Sequence, residues 1–250
     1  MRNSARFIPS LFTILNLFCG FMSIINSANL DMNQACLFII YASLFDAFDG
    51  VVARFTGTSS KFGVELDSLS DVISFGAAPS FILYRFYFYD LNGIGIAVSS
   101  LILIFSALRL ARFNIQTVGF DKTYFSGVPA PLSALTVSSF FLFYFNNNFS
   151  VEVSRIIVYV LTLLLPVLLV SKFKYDPLPK FSIREVRKRP VRYIFLLLVI
   201  ILIAATKGEG LFAFCLFYIS TGIIRSIYYF FRKTFLKKKI AEHPGESLNY

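Results

Sequence analysis

Asp46, Asp49, Asp67 and Asp71 fall within one 26-residue stretch, FDAFDGVVARFTGTSSKFGVELDSLSD without its leading Phe45. Asp46 and Asp49 are three residues apart, so on a helix they lie about 60° apart on one face. Asp67 and Asp71, at i and i+4, also face together. Between the pairs runs TGTSSKFG, a polar turn of the kind that reverses a chain and caps a helix start. Two adjacent antiparallel helices therefore point two carboxylates each into one cleft, and Gly50 and Ala53, on the face of the first pair, leave room for a close neighbour. Four carboxylates in a partly desolvated cleft repel one another, and each is costly to bury unpaired. A divalent cation resolves that conflict. Oxygen-only donors, with no His or Cys beside them, select hard Mg²⁺ or Mn²⁺, and a cluster that holds two such ions can clamp a phosphoryl group during displacement. Arg54 and Lys61, with the amides that open the next helix, supply positive charge for phosphate oxygens. On residue physics alone a cation-coupled transporter stays open beside phosphoryl transfer, because intramembrane carboxylates also line ion pathways.

The elements that position these residues are membrane helices. Of 250 residues, 56% are hydrophobic and only 15% charged, which is not the composition of a soluble domain. Apolar runs of bilayer length, roughly 20 residues, predict an all-α polytopic protein with about eight spans, near 8–26, 34–54, 64–88, 92–114, 129–146, 152–172, 191–206 and 210–231. Loops after the odd-numbered spans hold almost no Lys or Arg, whereas the others hold Arg54 and Lys61; Arg109, Arg112 and Lys122; Lys172 through Arg192; and Arg232 to Lys239. That asymmetry places both termini and the aspartate stretch on the cytoplasmic side of the cell (inner) membrane. The net charge of +10 is thus a topology signal and no sign of nucleic acid. The first span reads as retained rather than as a cleaved signal peptide. Cys19, Cys36 and Cys215 sit in apolar segments without metal-like spacing, and the only histidine, His243, lies in the polar tail. Catalysis must then rest on carboxylates, metals or cations. The basic, proline-bearing loop 172–190 suits anionic headgroups and divides six spans from two.

Asp46, Asp49-Gly50, Ala53-Arg54, Gly63, Asp67 and Asp71 match D-x2-D-G-x2-A-R-x8-G-x3-D-x3-D at all eight fixed positions. On that motif the chain resembles the CDP-alcohol phosphotransferase family. The resemblance implies a six-helix membrane core, usually homodimeric, that transfers a substituted phosphate from a CDP-alcohol to a second alcohol and releases CMP. It makes Asp46, Asp49 and Asp67 metal ligands, and Asp71 the general base with a possible share in the second metal. It also implies CDP-diacylglycerol contacts from Thr13, Asn16, Asp49, Gly50, Ala53, Arg54, Lys61 and Gly63. IPSLFTILNLFCGF (8–21), SDVISFGAAPS (70–80), LRLARFN (108–114) and FSGVPAP (125–131) are similar to the integral-membrane phosphatidylserine synthases. With the basic loop as the divider, the resemblance implies a core over 1–175, followed by a linker over 176–190, an accessory helix pair over 191–232 and a tail over 233–250.

Under that resemblance the acceptor is L-serine, whose hydroxyl attacks the phosphorus attached to diacylglycerol. A hydroxyl is a weak nucleophile at neutral pH, so a positioned carboxylate that takes its proton helps. Serine also carries a carboxylate, which needs a cation. Arg109 and Arg112, three residues apart, and Asn114 beside them are the candidates, with the plain reading of membrane-edge anchors standing next to it. Glycerol phosphate, inositol phosphate and choline remain as other acceptors for the same chemistry.

Overall fold

The computed structural model describes residues 7–56, 61–117, 125–145, 148–175 and 190–242, and it is helical almost throughout. Helices α1 (Phe7–Ala28) and α2 (Met32–Thr56) form an antiparallel hairpin. Asp31 closes its turn by accepting from the Gln34 N–H at 3.0 Å. The third pass begins as α3 (Lys61–Val72), loosens into a π-helical segment over Ile73–Ala77, resumes as α4 (Ala78–Leu83), and ends in further π and 3-10 turns to Leu91. Asn92, at φ 48°, reverses the chain into α5 (Asn92–Thr117). Then come α6 (Ala130–Phe143), α7 (Val151–Val170), α8 (Pro190–Ala205) and α9 (Gly210–Glu242). A two-residue antiparallel pairing joins β1 (Phe125–Ser126) to β2 (Lys174–Tyr175).

The expected polytopic all-α architecture is present, with helical segments at all eight expected places. Five stretches meet the length and apolarity of a crossing: 11–28, 32–52, 61–115, 151–170 and 210–229. The third contains two passes, because it includes the reversal at Asn92. Helices α6 and α8 are shorter apolar elements, and α6, expected over 129–146, stops at Phe143. The linker 176–189, Lys122 and His243 lie outside the described residues.

The π-helical segment has a local cause that matters for the site. Pro79 has no N–H to give the carbonyl of Phe75, four residues back, so regular helix cannot run through this point. Ala78 donates instead to Ile73, five residues back, and the Phe75 carbonyl accepts from Ser106 Oγ of α5 at 3.4 Å. Small residues then let three helices close up. A side chain at Gly20 of α1 would collide with Ser74, whose Cα is 2.7 Å from the ideal Cβ position, and one at Gly76 would press on Leu103 of α5 at 3.2 Å. Close helix approach through small residues is the usual packing mode where lipid replaces water. The apolar core runs through Phe75, Ile82, Ile39, Ile102, Phe140 and Leu165, all buried. Its consequence is that Ser70 and Asp71 face inward, against α1.

Candidate active site

Two hydroxyls, one on α3 and one on the π-helical segment after it, tie this pass to the backbone of α1. Ser70 Oγ donates to the Thr13 carbonyl at 3.1 Å and Ser74 Oγ to the Asn16 carbonyl at 2.9 Å. That clamp sets α1 side chains against the aspartates: Thr13 Oγ1 donates to Asp49 Oδ2 at 2.9 Å, and Asn16 Nδ2 donates to Asp71 Oδ1 at 3.3 Å. Thr13 and Asn16, expected as substrate contacts, are here hydrogen-bonded to the carboxylates. Asn16 Oδ1 is buried and has no partner.

Asp46, Asp49 and Asp67 each bring a carboxylate oxygen within 4.8 Å of the other two. Asp49 is 8% exposed, and its carboxyl lies within hydrogen-bonding distance of that of Asp67. Two carboxylates so placed need a proton or a cation between them. Asp67 Oδ1 is buried without a hydrogen-bond partner. An orphaned buried oxygen in an all-oxygen trio fits a hard divalent cation, and among the described residues no Lys or Arg forms an ion pair with any of the four aspartates. Asp71, also 8% exposed, lies outside the trio but close enough to feel the charge of all three. Asn16 holds it in that separate place.

Other expected residues are spread around this centre. Gly50 is on α2 one residue after Asp49, and Gly63 is in the first turn of α3. Lys61 opens α3 and is exposed. The side chains of Ala53 and Arg54 lie outside the described part of the chain, although both are in the last turns of α2. Asn114 exchanges hydrogen bonds with Ser68, the residue after Asp67, at 3.0 and 3.3 Å, which joins the end of α5 to the rim of the cluster. Arg109 is 8% exposed, within electrostatic reach of Asp71 and Arg112, and its Nε has no partner. Arg112 points elsewhere: its Nη1 donates to the Val170 carbonyl at 2.9 Å and its Nη2 to the Ser171 carbonyl at 3.5 Å, covering the end of α7. The two arginines of RLARFN therefore have different surroundings.

FSGVPAP forms the other half of that anchorage. Gly127 adopts φ +82°, and its N–H donates to Phe173 O at 2.9 Å. A Cβ there would run into the Leu169 carbonyl, so this turn needs glycine. Val128 N–H donates to Leu168 O at 3.1 Å. The motif therefore fastens the start of α6 to the end of α7. Structural residues not foreseen were Ser70 and Ser74, which hold the third pass on α1, and Tyr175, buried beneath α9; only the run SDVISFGAAPS hinted at the first two.

A family model described as CDP-alcohol phosphatidyltransferase matches residues 6–170, about two thirds of the chain. The chain belongs to that family. It is 38% identical over 239 residues, 96% of this chain and 99% of the relative, to a CDP-diacylglycerol–serine O-phosphatidyltransferase of Helicobacter pylori. A protein of the same description from Methanocaldococcus jannaschii is 36% identical over 88% of this chain and 94% of its own length. An archaetidylserine synthase of Methanothermobacter thermautotrophicus is 43% identical over 62% of this chain and 66% of its own. Members of the family and these relatives place the chain among multi-pass membrane transferases.

Proposed function

We propose that the chain transfers the phosphatidyl group of CDP-diacylglycerol to the hydroxyl of L-serine, giving phosphatidylserine and CMP. The observation that carries this reading is its alignment, along nearly the whole of both chains, with a relative described by that activity. The aspartate trio, with Asp49 buried and the other two half-buried, is the donor set such a transfer needs, and the family match favours the enzyme over a cation-coupled transporter.

Asp46, Asp49 and Asp67 would hold divalent metal, Mg²⁺ or Mn²⁺ and two ions in all, with Asp71 touching the second. Bound there, metal supplies Lewis-acid stabilisation of charge developing on the diphosphate. The chain's own residues do the rest. Asp71, steadied by Asn16, accepts the proton from the serine hydroxyl as its oxygen attacks phosphorus. The bond from phosphorus to the CMP oxygen breaks, and CMP leaves with that electron pair. Arg54 and Lys61 contact phosphate oxygens, while Gly50, Ala53 and Gly63 leave space for the nucleotide and Asn16 Oδ1 offers an acceptor to it. Arg109 grips the serine carboxylate, and Arg112 and Asn114 shape the same rim. The acyl chains stay in lipid while the nucleotide stays in water, so the cleft belongs at the cytoplasmic edge of the inner membrane, with both termini on that side. Residues 1–175 form the core, followed by linker, accessory pair and tail, and the chain works as a homodimer.

Purified protein given CDP-diacylglycerol, Mn²⁺ or Mg²⁺, and labelled serine, glycerol phosphate, inositol phosphate or choline tests the reading. CMP release with label appearing in lipid is expected for serine alone. Release with another acceptor and none with serine would change the assignment, and no release with any of them would end it.

A further inference from the structure

Asn16 is gripped twice by one stretch of the third pass. Its carbonyl accepts from Ser74 Oγ at 2.9 Å, and its amide Nδ2 donates to Asp71 Oδ1 at 3.3 Å. Asp71 and Ser74 are three residues apart in that pass, so the two bonds close a ring around a single residue of α1. Thr13 is held differently. Its carbonyl also accepts a hydroxyl, from Ser70 at 3.1 Å, but its own hydroxyl donates to Asp49 of α2 at 2.9 Å, which makes a bridge over three elements rather than a ring.

The ring depends on close approach. In a regular helix the Asn16 carbonyl lies toward residue 20 of α1, and a Cβ at Gly20 would fall on Ser74. Glycine there gives the Ser74 hydroxyl its way to that carbonyl. On the opposite side α5 fixes the π-helical segment that carries Ser74: Ser106 Oγ donates to the Phe75 carbonyl at 3.4 Å, and the Leu103 N–H donates to Ser80 Oγ at 2.9 Å. Ser74 therefore has a set place of its own and passes it on to Asn16. Both residues are wholly buried, where water competes little for a hydrogen bond. The sensitive link is the amide. At 3.3 Å it lies just past the usual N–H···O range of about 2.7–3.2 Å, so a small shift of α1 opens it.

Resting on the reading that Asp71 takes the acceptor's proton, we propose that Ser74 is a positioning residue: its hydroxyl, by holding the Asn16 backbone, keeps the Asn16 amide on Asp71 and so aims the carboxylate that receives the proton. Ser74 touches neither the substrates nor the reacting atoms. Ser70, one turn earlier and bonded in the same way to Thr13, acts on helix packing and on Asp49 and has no part in the ring.

Serine-dependent CMP release by the unsubstituted full chain, and its loss in Asp71→Asn, test the underlying reading by themselves. In Ser74→Ala, kcat should fall about tenfold, the contribution of one ordinary hydrogen bond, with the KM values for serine and CDP-diacylglycerol changed less than about twofold. Asn16→Ala, which removes the amide itself, should lower kcat at least as much. The deciding measurement combines the two: with the ring already open in Asn16→Ala, adding Ser74→Ala should change kcat by less than about twofold. Ser70→Ala is the matched control for packing, and whatever share of kcat it removes, it should remove equally with and without the Asn16 amide. An unchanged kcat in Ser74→Ala, a smaller loss in Asn16→Ala, a Ser74→Ala loss that persists in full beside Asn16→Ala, or a Ser70→Ala loss that vanishes there would overturn the proposal while leaving the transfer reaction intact.

Discussion

At one end of the site carboxylates are crowded together and met by donors; at the other, one guanidinium is met by backbone carbonyls and a second lies buried beside it. Asp49 and Asp71 receive the Thr13 hydroxyl and the Asn16 amide, and the trio of Asp46, Asp49 and Asp67 retains an orphaned oxygen on Asp67. Arg112 is turned to the carbonyls that end α7, and Arg109 retains an orphaned Nε. Each end thus has its positions fixed by the fold and one bonding capacity left over. The carboxylate end suits a cation and the guanidinium end an anion, the pairing that the proposed reaction of a metal-bound diphosphate with an amino-acid acceptor calls for.

That division predicts separable kinetic effects. The largest falls on the trio: Asp46→Asn, Asp49→Asn or Asp67→Asn should lower turnover by about 10³-fold or more, since several kcal/mol of charge stabilisation depend on that donor set. The same variants should melt higher than the unsubstituted chain in chelator, because one member of a crowded like-charged set is gone. Steady-state CMP release and thermal melts read the two effects. A variant of the trio that changed only the serine KM would erase the division. Next, Arg109→Lys keeps a charge but loses the planar fork, and should raise the serine KM by roughly 10- to 100-fold with the CDP-diacylglycerol KM little altered. A matching rise in both would put Arg109 on the nucleotide side. Thr13→Val, nearly the same shape without the hydroxyl, should reduce turnover by about tenfold through a less well oriented Asp49. Gly127→Ala should act on the joint between α6 and α7 rather than on chemistry, lowering stability by about 1–3 kcal/mol for a strained φ, read from the midpoint of unfolding in detergent.

How much of this was legible in the chain followed from sequence distance. The aspartates lie within seven helical turns, and fixed helical spacing pointed all four to a shared cleft; α2 and α3 bring three of the four together, with Asp71 outside the trio. The helical passes were legible too, because apolar length is what a bilayer demands, although the 14-residue α6 ends earlier than its apolar run. SFGAAPS was legible only as a resemblance. Its physical content, a π-helical relief of Pro79 that lets Ser74 reach Asn16 O, depends on contacts from α1 and α5. Arg109 and Arg112 differ in nothing a spacing rule can see. Their divergence comes from α7, nearly sixty residues further along. Tyr175 and Tyr218 meet across more than forty residues, with no periodic signal to announce it.

The central claim is that Asp71 takes the proton of the acceptor while the trio handles the diphosphate. Its most direct test is Asp71→Asn in the full chain, measured for CMP release with CDP-diacylglycerol and serine and, separately, for binding of CDP-diacylglycerol. Turnover should fall by about 10²- to 10⁴-fold, the range for a lost general base, with nucleotide binding largely intact. Normal turnover in that variant would contradict an essential base at Asp71.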